Sequence, residues 1–498
     1  MATTQVLAPP QATLDKTGTV SVRVASFPIL MGALLVAGTF IGAVKNILDP
    51  DTWWHAAVGQ QILATHAWPH ADTYSWTAPG APWIAYEWLG EVLMGAAGRL
   101  HGLWSETILL VVLTSILILL LFAYATLRCG NFKAAFVACT TIIPILATFF
   151  TLRPQLLGYI FLVSLLICLE LFRKGHARAL WPLPLLFLIW VNTHGSFVLG
   201  FLAIGSVWLA GQFELEAGGL VAERWTKPQS LRLAATLLAS VLVLPLTPYG
   251  TRQAAYPLIM ALSQPINVNN IQEWQPIGTD MFVGKLFLIG LILFFLAVLV
   301  LRPKLRLDEV ALALFGVYAA CVHIRFIFFF LVLFVPLWAL ILSRWIPNYD
   351  RGRDHPLLNA ALIALIAVGI VHYFPKQEAL NRMVRQDYPV DALNYLKLHP
   401  GPGHWLNEYR WGGFLIANPS PRPKVFIDGR ADLYEYSGVM ADYLDIVRLQ
   451  PGAMRLLKEY DITGCLVHRD APLATMLAAM PGWKRVYADN VAAIFVRQ

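Results

Sequence analysis

Two aspartates and a histidine follow directly on the first long apolar run of the chain, 27–47. They are Asp49, Asp51 and His55. Pro50 fixes its own φ and favours an extended backbone at the residue before it, so both carboxylates can face one cation or one leaving group. The alternative is a helix start with Asp51 as the N-cap. Because a cap accounts for one aspartate only, the pattern favours a chemical role.

A second acidic pair lies further along the same polar segment. Glu87 and Glu91 are four residues apart within 83–100, where apolar residues recur at helical spacing. Residues at that spacing share one face of a helix. The pair is interpreted either as a solvated acidic face or as groups that share a cation or transfer a proton.

Further ionisable and aromatic residues stand at the ends of apolar runs, on the same predicted side of the membrane. They are Arg153, His194, Arg252, Glu273 with Trp274, His323 and Arg325. Ionisable groups at membrane depth are costly and tend to face a cavity or each other. Each one alone is also explained by capping or by reaching toward the membrane surface. Together they form a set that can bind a phosphate, a divalent ion and an acceptor hydroxyl or amide.

Composition sets the class of protein in which these residues must be positioned. The chain has 498 residues, of which 57% are hydrophobic and only 13% are charged. That balance is typical of a polytopic membrane protein. The formal charge of +7 is spread between apolar runs rather than gathered in one patch, so we expect no nucleic-acid function.

The apolar runs predict an α-helical bundle of about eleven spans over 27–374. The runs are 27–47, 107–127, 133–151, 155–172, 179–191, 196–213, 231–248, 283–301, 308–322, 324–343 and 357–374. Lysines and arginines are concentrated in alternate loops, which marks those loops as cytoplasmic. This predicts a cytoplasmic N-terminal tail, 1–26, and a chain end outside the cytoplasm.

Two outer regions are large enough to carry a site. The first loop, 48–106, is expected to hold two surface helices, 53–66 and 83–100, that are too polar to span. After Pro375 the composition is that of a soluble domain, and 375–498 is predicted to be an extracytoplasmic α/β domain.

Within that domain, polar and aromatic residues gather at predicted strand ends and turns. Candidate binding residues there are Asn407, Glu408, Trp411, Asp428 and Arg430. Sites are often mounted on loops at strand ends. The alternative is ordinary turn chemistry, which glycine and aspartate favour.

This order of elements resembles the GT-C superfamily of membrane glycosyltransferases. The motif 49–51 stands where that superfamily has its first acidic motif, and 405–412 is faintly similar to the WWDYG region of oligosaccharyltransferase catalytic subunits. Here the order is Asn407-Glu408-Tyr409-Arg410-Trp411-Gly412, which departs from that motif. The chain also resembles a bacterial group with a DPDTWWH loop, a Glu-Trp-Leu-Gly-Glu helix and an Asp-Gly-Arg tail.

The resemblance implies the donor and the roles of the candidate residues. The donor would be a polyprenyl-phosphate or polyprenyl-diphosphate sugar, and Arg153, Arg252 or Arg325 would hold the anionic leaving group. Asp51 or Asp49 would act as the base, with His55, Glu87 and Glu91 as catalytic neighbours. An acidic cluster of Asp49, Asp51 and Glu87 would suit Mg²⁺ or Mn²⁺.

Two other classes of function stay open. A break at 192–195 between two short spans is compatible with a transporter of a lipid-linked substrate. The same fold would also serve as a non-catalytic scaffold for envelope assembly, with 375–498 as the surface for a protein partner. In all three cases the chain is expected in the inner membrane of a bacterium, among membrane lipids.

Overall fold

A computed structural model of the protein describes residues 25–401, 403–418 and 424–498. The predicted cytoplasmic tail, 1–26, therefore lies outside the described residues except for its last two positions. Each predicted apolar run contains a helix, as the periodicity of the sequence indicates. The helices up to the end of the bundle are α1 Phe27–Lys45, α2 Pro50–Thr65, α3 Trp88–His101, α4 Leu103–Cys129, α5 Phe132–Leu146, α6 Pro154–Arg173, α7 Leu183–Val191, α8 Phe197–Ala210, α9 Lys227–Leu242, α10 Thr251–Ser263, α11 Pro265–Asn270, α12 Phe282–Leu301, α13 Leu307–Val322, α14 Ile327–Leu342 and α15 Pro356–Tyr373.

Seven helices in the described part of the chain are long and apolar enough to cross a membrane. They are α1, α4, α5 with its 3₁₀ extension, α6, α12, α14 with its preceding 3₁₀ turn, and α15. The protein is therefore a multi-pass membrane protein. The helix α14 forms the centre of the bundle, with 72% of its apolar window buried, whereas only 6% of the window of α15 is buried. Most of α15 is thus available to lipid.

The first loop forms two packed helices, α2 and α3, close to the predicted surface helices. Their contact is tight because Gly59 and Gly95 leave no side chain between the two backbones. The alternative interpretation, with Asp51 as the N-cap, is wrong. Asp49 is the cap: its backbone is extended, as the following proline requires, and its Oδ1 accepts a 3.0 Å hydrogen bond from the Asp51 amide.

Ion pairs link helices at the end of the bundle remote from the first loop. Arg128 pairs with Glu309, Arg306 with Glu170, and Arg173 Nη2 lies 2.7 Å from Asp308 Oδ2. Beside them a short hairpin and a third strand form a small sheet, from β1 Leu215–Ala217, β2 Leu220–Ala222 and β3 Leu305–Arg306. These pairs join α4, α6 and α13 on the side predicted to be cytoplasmic.

After the bundle the chain forms helices around a four-stranded sheet. The helices are α16 Gln377–Asp387, α17 Val390–Leu398, α18 Gly412–Ala417, α19 Ala431–Tyr436, α20 Val439–Val447, α21 Ala453–Glu459 and α22 Pro472–Ala479. The strands are β4 His404–Asn407, β5 Ile462–His468, β6 Trp483–Ala488 and β7 Ala492–Arg497, in the order β4-β5-β7-β6. The pair β4/β5 is parallel, and the other two pairs are antiparallel.

The pattern of apolar residues in this domain predicts strands at 424–427, 462–468, 484–487 and 492–496. The last three form as β5, β6 and β7, whereas 424–427 forms no strand and β4 is not predicted. That segment makes one isolated bridge, between Val425 and Ser75 of the first loop. The side chain of Asn407 holds the segment 424–427, in place of the backbone hydrogen bonds that a strand would make. Its Oδ1 accepts a hydrogen bond from Phe426 N at 2.7 Å, and its Nδ2 donates to Ile427 O at 2.8 Å.

Candidate active site

Arg153 lies at the centre of a cluster of carboxylates. Its Nε and Nη2 donate to the two oxygens of Asp49 at 2.8 and 2.7 Å. Its Nη1 lies 2.9 Å from Asp51 Oδ2 and 2.6 Å from Glu273 Oε1. Asp49 and Asp51 therefore do face one cation, but that cation is a guanidinium.

Two cavities meet at this cluster. The larger, of about 510 Å³, is lined by Asp51, His55, Glu87, Arg153 and residues of the C-terminal domain. The smaller, of about 350 Å³, is lined by Asp49, by Thr148 and Thr151, and by apolar side chains of the bundle. Arg153, Gln155, Gln272, Glu273 and Arg325 border both. The charged cluster thus lies between the two cavities.

A buried chain of two histidines and two glutamates lies along the larger cavity, which His55, Glu87 and His194 line. His55 Nδ1 lies 3.2 Å from Glu91 Oε1, and His55 Nε2 lies 3.6 Å from Glu87 Oε2. On the other side His194 Nε2 lies 3.3 Å from Glu87 Oε1. Because His194 Nδ1 accepts a hydrogen bond from the Ser196 amide at 3.0 Å, the proton of the neutral ring is on Nε2 and faces Glu87.

Burial sets the protonation states along this chain. It raises the pKa of Asp51 to about 6, against the opposing field of Arg153. It raises the pKa of Glu87 to about 8, against the field of Arg325 and with a contribution from Asp51. Burial lowers the pKa of His194 to about 3 and holds the pKa of His55 well below its usual value, so both rings are neutral. Asp51 is therefore ionised at neutral pH, while Glu87 holds a proton.

The predicted residues of the later loops lie around the same cluster. At Glu273 the positive charge of Arg153 outweighs the effect of burial and lowers the pKa of the carboxyl group. The Arg325 guanidinium stacks over the Trp274 ring at 4.2 Å. His323 Nδ1 contacts Trp274 O at 2.6 Å and holds that segment in place. Across the described part of the chain, no carboxylate lies within 4.0 Å of the Arg325 guanidinium, so Arg325 faces the two cavities without an acidic partner.

Glycines of the C-terminal domain seat it directly on the start of α2. A Cβ on Gly413 would lie 2.7 Å from Pro50 O, and one on Gly429 would overlap Asp51 Oδ1 and lie 2.6 Å from Trp54 Nε1. Trp54 Nε1 in turn donates to Asp51 Oδ1 at 3.0 Å. The domain therefore forms the wall against which the Asp51 carboxylate is oriented.

We expect Gly429→Ala to displace Asp51 and to lower the turnover of the site by at least about 10-fold, because small misplacements of a reacting group are costly. Gly452→Ala is the matched control in the same domain, since the nearest atom to its added methyl group is 3.7 Å away. The measurement is the rate of the reaction proposed below, together with thermal unfolding of both variants. Equal rates for the two variants would contradict a role of the Gly429 contact.

Several predicted binding residues make buried contacts within the protein, and one of them, Arg430, also borders the larger cavity. Arg430 is 1% exposed, donates to both Asp428 oxygens at 2.8 and 2.7 Å, and lies 2.7 Å from Asp72 Oδ1 of the first loop. The buried Trp411 donates to Asp387 O at 3.1 Å. Asn407 braces 426–427 as described above.

Two other predicted binding residues, Glu408 and Arg252, do not border the larger cavity. Glu408 does not line either cavity at the cluster. Arg252 is exposed and borders a separate cavity of about 180 Å³ with Tyr256 and Asp432. The interpretation of Arg252 as a holder of the leaving group is therefore not supported by its position.

The structure also adds residues that the sequence reasoning missed. Tyr86, Gln155, Tyr409, Arg410 and Asp432 line the larger cavity. Tyr86, Tyr409 and Arg410 stand directly beside predicted residues, and Gln155 and Asp432 each follow a predicted arginine by two positions. These cavity residues could therefore have been found by including the aromatic and polar neighbours of each candidate motif.

The predicted metal ligands do not assemble as a metal site. Within the described ranges no group of three or more His, Cys, Asp or Glu side chains is arranged to hold a metal ion. Asp49 and Asp51 pair with Arg153, whereas Glu87 pairs with His55 and His194. The donor set as arranged fits a guanidinium rather than Mg²⁺ or Mn²⁺.

Solved structures with a similar fold include two of the oligosaccharyltransferase from Archaeoglobus fulgidus. One is AglB in complex with an inhibitory peptide and a dolichol-phosphate, with a TM-score of 0.53 and 11% identity, covering 88% of this chain and 69% of that one. The other is tethered to an acceptor peptide that contains the NVT sequon, with a TM-score of 0.52, 12% identity and the same coverage.

A third similar structure is ArnT from Cupriavidus metallidurans bound to undecaprenyl phosphate. Its TM-score is 0.51 at 14% identity, and the match covers 94% of this chain and 97% of that one. No protein-family model and no curated protein sequence matches the chain. The predicted resemblance to GT-C glycosyltransferases is thus confirmed as a resemblance of fold.

Proposed function

We propose, taking the GT-C fold as the premise, that this membrane protein transfers a sugar from a polyprenyl-phosphate-linked donor to an acceptor outside the cytoplasm. The observation that carries the proposal is the ionised Asp51 in the larger cavity, together with Arg325, whose guanidinium borders both cavities and has no acidic partner within 4.0 Å in the described structure. Asp51 is suited to take a proton, and Arg325 is suited to hold an anionic leaving group.

The smaller cavity suits the lipid-phosphate end of the donor. Its walls include Phe149, Leu156, Met281 and Val283, which can contact an isoprenoid chain. Arg325 borders the same cavity. Arginine presents paired donors that match a phosphate, so we assign Arg325 to the leaving group.

The larger cavity suits the sugar and the acceptor. Asp51 would accept the proton of an acceptor hydroxyl or amide as that group forms a bond to the anomeric carbon. The bond from the anomeric carbon to the phosphate oxygen breaks in the same step, and its electron pair leaves with the lipid phosphate beside Arg325. The proton on Asp51 would then be released to solvent in the larger cavity, because Glu87 already holds a proton and cannot receive it.

We expect Arg325→Ala to lower kcat/KM for a polyprenyl-phosphate sugar by about 10- to 100-fold, the loss of hydrogen bonds to a charged group. Arg252→Ala is the control, because Arg252 is exposed and borders a different cavity. The measurement is transfer of labelled sugar by protein reconstituted in lipid. Absence of both transfer and donor hydrolysis with polyprenyl-phosphate donors would reject the glycosyltransferase in favour of the scaffold.

The orientation of the chain follows the distribution of basic loops. We propose that the N-terminus lies in the cytoplasm of a bacterium and that 375–498 lies outside its inner membrane. A reporter enzyme that is active only outside the cytoplasm, fused after Gln498, is expected to be active. An inactive reporter on a correctly inserted protein would place the cavities on the wrong side for an extracytoplasmic acceptor.

A further inference from the structure

We propose that the Arg153 guanidinium is the resident cation of this site and holds Asp51 in position without a bound divalent metal ion. This inference deepens the proposed function and rests on it for the meaning of the site, although its cation chemistry can be tested separately. Arg153 would be a positioning residue, acting on the reaction through Asp51.

All three nitrogens of the guanidinium are engaged by carboxylates, from two parts of the chain. Asp49 takes two parallel hydrogen bonds, and Nη1 contacts both Asp51 and Glu273, at 2.9 and 2.6 Å. Asp49 precedes α2, whereas Glu273 lies in a 3₁₀ turn after α11. The side chain therefore joins the two loops that border the cavities, as a bridging metal ion would.

The backbone of Arg153 is held firmly. Pro154 begins α6 and fixes the direction of the chain, and the Arg153 carbonyl accepts a 3.0 Å hydrogen bond from Leu156 N. The Thr52 hydroxyl donates to Leu152 O at 2.8 Å and ties the segment to α2. A Cβ on Gly90 would lie 2.7 Å from Pro154 Cβ, so α3 also packs closely against this point.

A divalent ion would compete for the same oxygens. Mg²⁺ requires oxygen ligands at about 2.0–2.1 Å in near-octahedral geometry. Both oxygens of Asp49 and one oxygen each of Asp51 and Glu273 already accept hydrogen bonds from Arg153 or lie in ion-pair contact with it. Arginine stays protonated in proteins, so a metal ion there would be repelled by a permanent positive charge. The Arg153 guanidinium and a divalent ion therefore cannot occupy the site together.

Removing the guanidinium should therefore create a metal site. In Arg153→Ala the three carboxylates lose their common cation, and we expect Mn²⁺ to bind among them. The probes are Mn²⁺ alone, followed by the electron paramagnetic resonance signal of the free ion, and thermal unfolding of the full chain in lipid. Mn²⁺ should raise the Tm of Arg153→Ala by at least about 2 °C and leave the wild type unchanged.

Two controls locate the ion. Arg325→Ala removes a neighbouring arginine but keeps Arg153, so it should show no response to Mn²⁺. Adding Glu273→Gln to Arg153→Ala removes one ligand and should abolish the response. If Arg153→Ala does not fold, Arg153→Met, which keeps the bulk of the side chain, is measured in the same way.

Stoichiometric Mn²⁺ binding to the wild type that is lost in Asp51→Asn would overturn the proposal, as would loss of wild-type transfer after chelation with recovery on adding Mg²⁺ or Mn²⁺. A failure of Arg153→Ala and Arg153→Met to bind Mn²⁺ would also count against it. These readouts are independent of the donor, so complete absence of transfer would reject the glycosyltransferase while the Mn²⁺ measurements still decide the role of Arg153.

Discussion

Asp51→Asn is expected to lower kcat/KM for sugar transfer by at least about 100-fold, the lower range for loss of a general base. The substitution keeps the size and the hydrogen bond from Trp54 but removes the charge that would accept the acceptor proton. Donor binding should be retained, since the substitution changes neither Arg325 nor the smaller cavity. The measurement is steady-state transfer, with donor binding measured separately on the same preparation.

The pH dependence gives this prediction a second readout. Because Asp51 has a pKa of about 6 and acts in its ionised form, wild-type kcat/KM should fall as the pH drops below about 6. The variant should lack that limb. Asp470→Asn is the control, because Asp470 is 75% exposed and does not border the cavities at the cluster. Unchanged transfer in Asp51→Asn, with the acidic limb intact, would remove Asp51 from the mechanism.

Asp428→Ala is expected to cost about 3–5 kcal/mol of stability, because breaking a buried ion pair strands the remaining charge. Asp428 is 0% exposed and accepts hydrogen bonds from Arg430 Nε, Arg430 Nη2 and the Tyr434 hydroxyl at 2.8, 2.7 and 2.5 Å. The remaining Arg430 would keep the contact to Asp72, a 3.3 Å hydrogen bond to the Tyr434 hydroxyl and the faces of nearby aromatic rings. Thermal or denaturant unfolding measures the loss.

Glu459→Ala serves as the comparison for this loss of stability. Glu459 pairs with Arg455 one helical turn away, and both side chains are more than half exposed, at 51% and 67%. An exposed pair of this kind contributes about 1 kcal/mol or less. If Asp428→Ala unfolded no more readily than Glu459→Ala and instead lost only donor or acceptor binding, the original interpretation of Asp428 as a binding residue would be restored.

The sequence was most informative where spacing and chain direction alone decide the structure. Pro50 predicted the extended backbone of Asp49, and the apolar runs predicted the bundle helices. The convergence of the acidic motif with Arg153 and Glu273 could be anticipated because all three stand at ends of spans on one predicted side.

The sequence was misleading where a polar residue had a partner far away in the chain. Arg430 and Asp428 have the composition of a binding loop, yet they form a buried clamp onto Asp72, some 350 residues earlier. No local pattern distinguishes a clamp from a site, since both need charge and hydrogen bonding at a turn. The same holds for Asn407, whose side-chain amide makes the hydrogen bonds that a neighbouring strand would make.

The contact of Gly413 and Gly429 with the start of α2 also bears on the order in which the protein matures. The Asp51 carboxylate is made early in synthesis, but the wall that orients it comes nearly 380 residues later. Contacts between such distant parts of a chain form late, because closing the loop between them is slow. A nascent chain can therefore insert its helices while the Asp51 carboxylate is still unaligned, and the proposed sugar transfer would begin only when synthesis is almost complete.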